Sequence, residues 1–282
     1  MKREEKNLLR FDTLADAHRA FGITAPLHPL ISMIKQAPSW SALGIPAQHV
    51  LGFYKISYKP KLSGKLRYGQ GYYDFDEGGL LFAAPGQIMG HLENEEAVCS
   101  EYTLLIHPDF FLGHPIAKEI GQYAFFSYTT NEALHLSETE KATIMSVFKF
   151  MEEELNSRID DFSQNVIIAQ LELLLNYANR FYRRQFITRK AASTDLLQRL
   201  EDILNGYFND EQALSRGLPS VQFLAESLNL SPGYLSDMLR TLTGRNTQQH
   251  IHDKLMEKAK EKLSTTRLTV GEVAYALGFE HP

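Results

Sequence analysis

The chain has one cysteine, Cys99, among 282 residues. That excludes a disulfide framework and a cysteine-based zinc cage, and makes a reducing cytoplasm the expected home. It also lacks a long apolar run. The most apolar stretch, 166–178, is interrupted by Gln170, Glu172 and Asn176, too short and too polar to span a bilayer, so no membrane partner is expected. The opening Met1-Lys2-Arg3-Glu4-Glu5-Lys6 is mixed in sign and leads into no apolar segment of the kind a secretory leader needs. Neither G-x-S-x-G nor H-E-x-x-H occurs, and the lone cysteine has no partner signature around it. His18, His28, His49, His91, His107 and His114 are scattered, without the clustering a metal site requires. Gly69-Gln70-Gly71 is followed by no helical pattern and reads as a turn rather than a phosphate loop. No metal, cofactor or enzymatic activity is therefore expected.

A basic surplus is missing as well. The net charge is -5, which counts against nucleic acid, because neutralising phosphates needs Lys and Arg. The balance reverses locally: residues 231–267 carry seven basic side chains (Arg240, Arg245, Lys254, Lys258, Lys260, Lys262, Arg267) against four acidic ones (Asp237, Asp253, Glu257, Glu261).

What is present is a globular composition, 44% hydrophobic and 22% charged, in a chain long enough for two domains. Twelve of 18 glycines and eight of 11 prolines precede residue 131, so the first half must turn often and hold few long helices. Segments 50–58, 68–75, 79–83 and 102–106 are dense in aromatic and β-branched residues and bounded by turn formers. An antiparallel β-sandwich or barrel follows from them. From Ser137 the period changes. Ser137 and Glu140 make an S-x-x-E capping box, after which Ile144, Val147, Phe148, Met151 and Leu155 recur on one helical face. The next helix carries two apolar stripes, Ile167, Leu171, Leu174, Ala178, Phe181 and beside it Ile168, Leu175, Tyr182. One can dock on the sheet while the other meets a partner subunit; a helix sunk wholly in its own domain is the alternative. Arg180, Arg183, Arg184, Arg189 and Lys190 suit a helix C-terminus, and 188–194 reads as a polar linker. The expected class is α+β, the β-rich part first and an all-α part last.

The all-α part opens with a supporting helix marked by Leu196, Leu197, Leu200, Ile203, Leu204, Tyr207 and Phe208. Leu224, Ala225 and Leu228 then share one helical face, a turn passes through Asn229 and Leu230, and Leu235, Met238 and Leu239 form a second face. Two short helices must cross tightly there, and the small Ala225 suits the point of closest approach. Ser231-Pro232 is a favoured N-cap followed by proline at the first helical position. With Leu235, Met238 and Leu239 inward, Gly233, Tyr234, Ser236, Asp237 and Arg240 are expected to face outward, at the end a helix-turn-helix sets against base edges in a major groove. Arg240 can reach a phosphate or guanine and Ser236 several bases. Asp237 can accept from cytosine N4, repel phosphate or cap a neighbour. A longer helix over 248–263 separates this unit from a second capping box, Thr269 with Glu272. Beyond it Val273, Ala274, Leu277 and Gly278-Phe279 repeat Leu224, Ala225, Leu228 and Asn229-Leu230.

These features resemble the AraC/XylS family of bacterial transcription regulators. They are Leu224-Ala225-x-x-Leu228 before Ser231-Pro232, Thr243-Gly244 closing the next helix, Ala259-Lys-Glu-Lys-Leu263, and Thr269-Val-x-Glu-Val-Ala-x-x-Leu-Gly-Phe279. The resemblance spans about 196–282. More weakly, the first part is similar to the cupin-like sensor of that family, with Gly79-Leu-Leu-Phe-Ala-Ala-Pro85-Gly86-Gln87 as landmark. The resemblance implies a cupin-like sensor over 1–135, dimerising helices over 136–187, a linker over 188–194 and a DNA-binding domain over 195–282. It implies double-stranded DNA as partner, a homodimer, a small-molecule effector and contact with RNA polymerase. Some family members use the first domain mainly to dimerise, so effector and dimer roles both stay open for it. Tyr68, Tyr72, Tyr73 and His91 are candidates for an effector lining and equally for ordinary sheet and core. In the family a second recognition helix and a further helix follow the point where this sequence reaches Glu280-His281-Pro282. The second unit is thus expected to be incomplete, and DNA binding correspondingly weaker. A dimerising or ligand-binding protein that has lost DNA affinity is the alternative.

Overall fold

A computed structural model describes residues 9–20, 22–37, 48–60, 66–68, 71–73, 78–90, 100–128, 132–157, 160, 162–188, 190–209 and 212–279. His91, Cys99, and 280–282 lie outside these, as does part of the expected strand 68–75. The class is mixed α+β, and the chain divides into two compact units, Met1–Tyr182 and Arg183–Pro282.

The first unit carries strands β1 (Leu9–Phe11), β2 (Ile31–Ala37), β3 (Gln48–Leu51), β4 (Tyr54–Lys59), β5 (Leu66–Tyr68), β6 (Gly71–Tyr73), β7 (Gly79–Ala83), β8 (Ile88–Gly90), β9 (Ser100–Ile106) and β10 (Leu134–His135). Its helices are α1 (Leu14–Ala20), α2 (Ile116–Glu119), α3 (Glu138–Asn156) and most of α4 (Ser163–Thr188). Five strands form an antiparallel sheet in the order β10-β7-β4-β9-β2, with Ile56 opposite Leu104 and Tyr58 opposite Tyr102. Because side chains alternate across a strand, Tyr58, Tyr102 and Leu104 share one buried face. The Tyr102 ring stacks there on Phe148 of α3, centroids 5.4 Å apart. The other face meets a small core of Phe11, Leu14, Ala17, Ile34, Leu51, Phe53 and Leu105.

Three expectations are corrected here. The segment 50–58 is not one strand: β3 belongs to a second sheet, β1-β3-β8, and β4 to the five-stranded one. Gly52 makes the break. Its N–H donates to Phe11 O at 2.7 Å, and a Cβ would lie 3.1 Å from Asp12 Cα. In the same sheet β1 pairs with β3 in parallel, so the β part is not wholly antiparallel. On α4 the proposed division between two stripes does not hold, since both stripes, including Ile168, Leu175 and Tyr182, are buried within this chain. Of the first helix's expected signals, the Ser137–Glu140 capping box is present, with both reciprocal hydrogen bonds.

The second unit is helical. After the end of α4 come α5 (Lys190–Asn209), α6 (Gln212–Arg216), α7 (Val221–Ser227), α8 (Pro232–Thr243), α9 (Thr247–Thr265) and α10 (Val270–Ala276). The polar linker expected over 188–194 is also corrected, because α5 is helical from Lys190. Among the described residues, no helix is long and apolar enough to cross a membrane.

Candidate nucleic-acid interface

The site is built on α8, and the caps fix where that helix begins and ends. Ser231 Oγ accepts from the Tyr234 N–H at 3.2 Å and Pro232 follows at the first position. This satisfies one of the donors a helix start leaves open, while proline gives up only a donor that had no partner. Gly244, at φ 76°, closes the helix, its N–H donating to Arg240 O at 3.0 Å. Leu235, Met238 and Leu239 are buried as expected, and α7 brings Leu224, Ala225 and Leu228 into the interior beside them. Ala225 retains no exposed surface, so a larger side chain there would push the helices apart.

The turn between the helices is repeated. After α7, Leu228 N–H donates to Leu224 O at 3.1 Å, Asn229 N–H to Glu226 O at 3.0 Å and Leu230 N–H to Ala225 O at 2.9 Å. After α10 the same three bonds recur from Leu277 to Val273, Gly278 to Tyr275 and Phe279 to Ala274, at 3.0, 3.0 and 3.1 Å. Asn229 and Gly278 are both left-handed, at φ 56° and 93°, the geometry of a Schellman-type helix stop.

Of the five expected outward residues, Arg240 is the most open, its side chain 60% exposed. Its Nη1 donates to Asp237 Oδ1 at 3.2 Å. An exposed pair of this kind contributes at most about 1 kcal/mol, so a phosphate or guanine can take the arginine from it. Asp237 and Gly233 are half-buried, and so is Ser236, whose Oγ lies 2.9 Å from Thr247 Oγ1 on α9. The structure corrects Tyr234. It is 2% exposed, its ring edge-on to Phe186 at 5.1 Å between centroids. At about 100° per residue, Tyr234 and Ser236 stand on opposite flanks of the inward arc around Leu235, and Phe186 extends that arc to the tyrosine side.

Sequence reasoning passed over three anchors of this unit. Thr247 is fully buried, and Thr243 Oγ1 and His250 Nε2 share a hydrogen bond of 2.8 Å; burial holds the His250 ring below its usual pKa, which favours the neutral form. On α9, Lys254 is buried, its Nζ 3.2 Å from Glu201 of α5 and 3.0 Å from Glu257. Burial alone lowers the ammonium pKa, but hydrogen bonds to Glu257 and Glu201 outweigh it and the net direction is upward. The signal for Lys254 was its place on the apolar row with Ile251 and Leu255, one helical turn from the first and adjacent to the second.

Residues 224–282 match the family model described as a helix-turn-helix domain. This helix-turn-helix match is of AraC type and supports a DNA-binding transcription regulator. No curated protein and no solved structure gives a significant match. The helix-turn-helix match begins inside α7 and covers α8, α9 and α10, the elements whose geometry is described above.

Proposed function

We propose that this chain regulates transcription by setting α8 into the major groove of double-stranded DNA, with Arg240 as its principal contact and Ser236, Asp237 and Gly233 around it. The observation that carries the reading is the exposed Arg240 on a short helix locked at both ends and braced by Ala225 from behind. Tyr234 leaves the contact set and becomes the support that keeps the helix start in place. A homodimer fits the regulator reading. The exposed side of α4 supports it, with Phe162 just ahead of the helix and Val166, Ala169 and Leu173 on it at steps of four, three and four, the spacing of a two-helix seam. A small-molecule effector in a cupin-like first unit is part of the same proposal, as is contact with RNA polymerase. Support for an effector comes from one face of β4 and β9. Ser57 and Thr103 hydroxyls lie there 3.0 Å apart and buried, beside Lys55, whose burial, reinforced by Lys59, pulls its ammonium to about 7.

The test is selection of duplexes from a random-sequence pool by the full chain, followed by fluorescence anisotropy across salt concentrations. The wild type is expected to enrich one sequence, and Arg240→Ala to weaken binding. A smaller salt slope marks a phosphate contact and a relaxed base preference marks guanine. Unchanged binding by Arg240→Ala, or no enriched sequence, refutes the role of α8.

A further inference from the structure

We propose that one face of the five-stranded sheet binds a small organic acid, its carboxylate held between the Lys55 ammonium and a hydroxyl of the Ser57–Thr103 pair. This rests on the effector reading of the first unit, and it names the chemical class of the effector. Strand register brings the groups together. Side chains alternate along a strand, and residues directly opposite one another share a face. Lys55, Ser57 and Lys59 therefore lie on one side of β4. Opposite Ser57 are Thr103 of β9 and Leu81 of β7, and opposite Lys55 are Leu105 and Ala83. This is the side that meets the small core of Phe11, Leu51 and Leu105. Lys55 and Ser57 are about 7 Å apart along the strand, a gap that the four-carbon stem of a lysine can close.

The hydroxyl pair supplies the deciding observation. Ser57 and Thr103 are each 1% exposed, and their oxygens lie 3.0 Å apart. Two hydroxyls carry two hydrogens, and the bond between them uses one. The second is a buried donor that meets no further acceptor among the described residues. Leaving such a donor unmade in an interior is costly, and a ligand atom that only accepts removes the cost.

The neighbouring ammonium also only donates. Burial, reinforced by Lys59 on the same strand face, pulls Lys55 to about 7, and an anion beside it favours the charged form again. A carboxylate matches these donors in number, one oxygen taking the hydroxyl hydrogen and the other the ammonium. A phosphate dianion brings more oxygens than they can satisfy, and a sugar brings hydroxyl hydrogens that need acceptors. Ala83 and Leu105 are buried and give the rest of the molecule apolar cover, while Lys55, Lys59 and Leu81 are half-buried, so the face is not packed shut there. The other titratable groups that meet this face are Glu101 of β9, which is exposed, His49 of β3, edge-on to Phe11, and His18 of α1, bonded to Ser32.

The probes are sodium hexanoate and sodium benzoate, with hexanamide and benzamide as their uncharged counterparts, titrated into the full chain by calorimetry and followed by melting temperature. The acids are expected to bind and to raise the melting temperature, and the amides to bind about tenfold more weakly. Lys55 loses its proton as pH rises through 7, so affinity for the acids should fall by about tenfold between pH 6 and pH 8. Lys55→Met should abolish acid binding. Ser57→Ala combined with Thr103→Val should weaken it about tenfold and leave the fall with pH in place. Melting of each variant without ligand checks that it folds. Wild-type affinity for the acids in Lys55→Met, or an affinity that stays flat from pH 6 to pH 8, overturns the proposal. If the amides bind as tightly as the acids, the first unit still takes a small molecule and only the acid assignment falls. If none of the four compounds binds, the acid assignment is overturned and the effector reading loses its support on this face.

Discussion

After α7 the chain turns through Leu228, Asn229 and Leu230, and after α10 through Leu277, Gly278 and Phe279, with matching hydrogen bonds and a left-handed residue in the same place. Their surroundings differ. Ala225 is fully buried and Leu230 half-buried, whereas Ala274 is half-buried, Phe279 exposed and Tyr275 68% exposed. A turn is thus a local property, written in three helical carbonyls and one residue tolerant of positive φ. The tight crossing is a property of the helix that follows the turn, and among the described residues only the turn after α7 is followed by one.

The largest expected effect breaks the two copies apart. Ala225→Leu inserts three carbons into a contact with no space and should cost about 3 kcal/mol, read as a lower urea midpoint by far-UV ellipticity. Ala274→Leu, at the equivalent place in the repeat, should change stability by no more than about 0.5 kcal/mol. Equal losses at the two alanines would mean that α10 is as tightly covered as α7.

The second contrast lies in the turns themselves. Gly278→Ala puts a side chain at φ 93° with its Cβ 2.7 Å from Ala213 O and about 3 Å from Gly217, both backbone. Left-handed strain alone costs about 1–2 kcal/mol, and the contact forces α6 to shift, so a loss of about 2 kcal/mol is expected in the same urea experiment. Asn229→Gly, in the equivalent and exposed position, should be close to neutral, since asparagine already tolerates that region.

These contrasts also explain what could be read in advance. The caps at Ser231, Thr269 and Ser137, the buried faces of α7 and α8, and the repeated turn all depend on neighbours within four or five residues, and each was legible. Tyr234 was misplaced because it stands on the flank of the α8 arc, where burial depends on Phe186 from another helix. Residues 188–194 were read as a linker because a polar run has the composition of a solvated helix face as well as of a coil. Segment 50–58 looked like one strand because Gly52 is needed for its approach to Asp12, a contact between segments distant in sequence. Buried Lys254 was read only as part of a basic surplus, since its partner Glu201 belongs to α5. Errors fall where a side chain's fate is decided by a residue from another element.

The smallest contrast concerns the two caps, and pH separates them. At Ser231 the third helical position holds Tyr234 rather than a carboxylate, so the capping hydroxyl has no reciprocal acid there that titrates in the carboxylate range. At Thr269 the hydroxyl accepts from the Glu272 N–H at 3.3 Å, while the Glu272 carboxylate accepts from the Thr269 N–H at 2.7 Å and from its hydroxyl at 2.8 Å. The Thr269 backbone and side chain hold Glu272 below its ordinary carboxyl value of 4.5. A carboxylate with a depressed folded-state pKa adds stability that is present above 4.5 and is lost as pH falls through the folded value. Ser231→Ala should therefore cost about 1 kcal/mol by nearly the same amount at pH 7 and in acid. The penalty of Thr269→Ala should shrink as Glu272 protonates and the reciprocal half of its box is lost. Melting temperatures of both variants against the wild type, at neutral pH and again below the usual carboxylate range, measure this. A Thr269→Ala penalty that stays constant in acid would show that the threonine hydroxyl, rather than the Glu272 carboxylate, holds the start of α10.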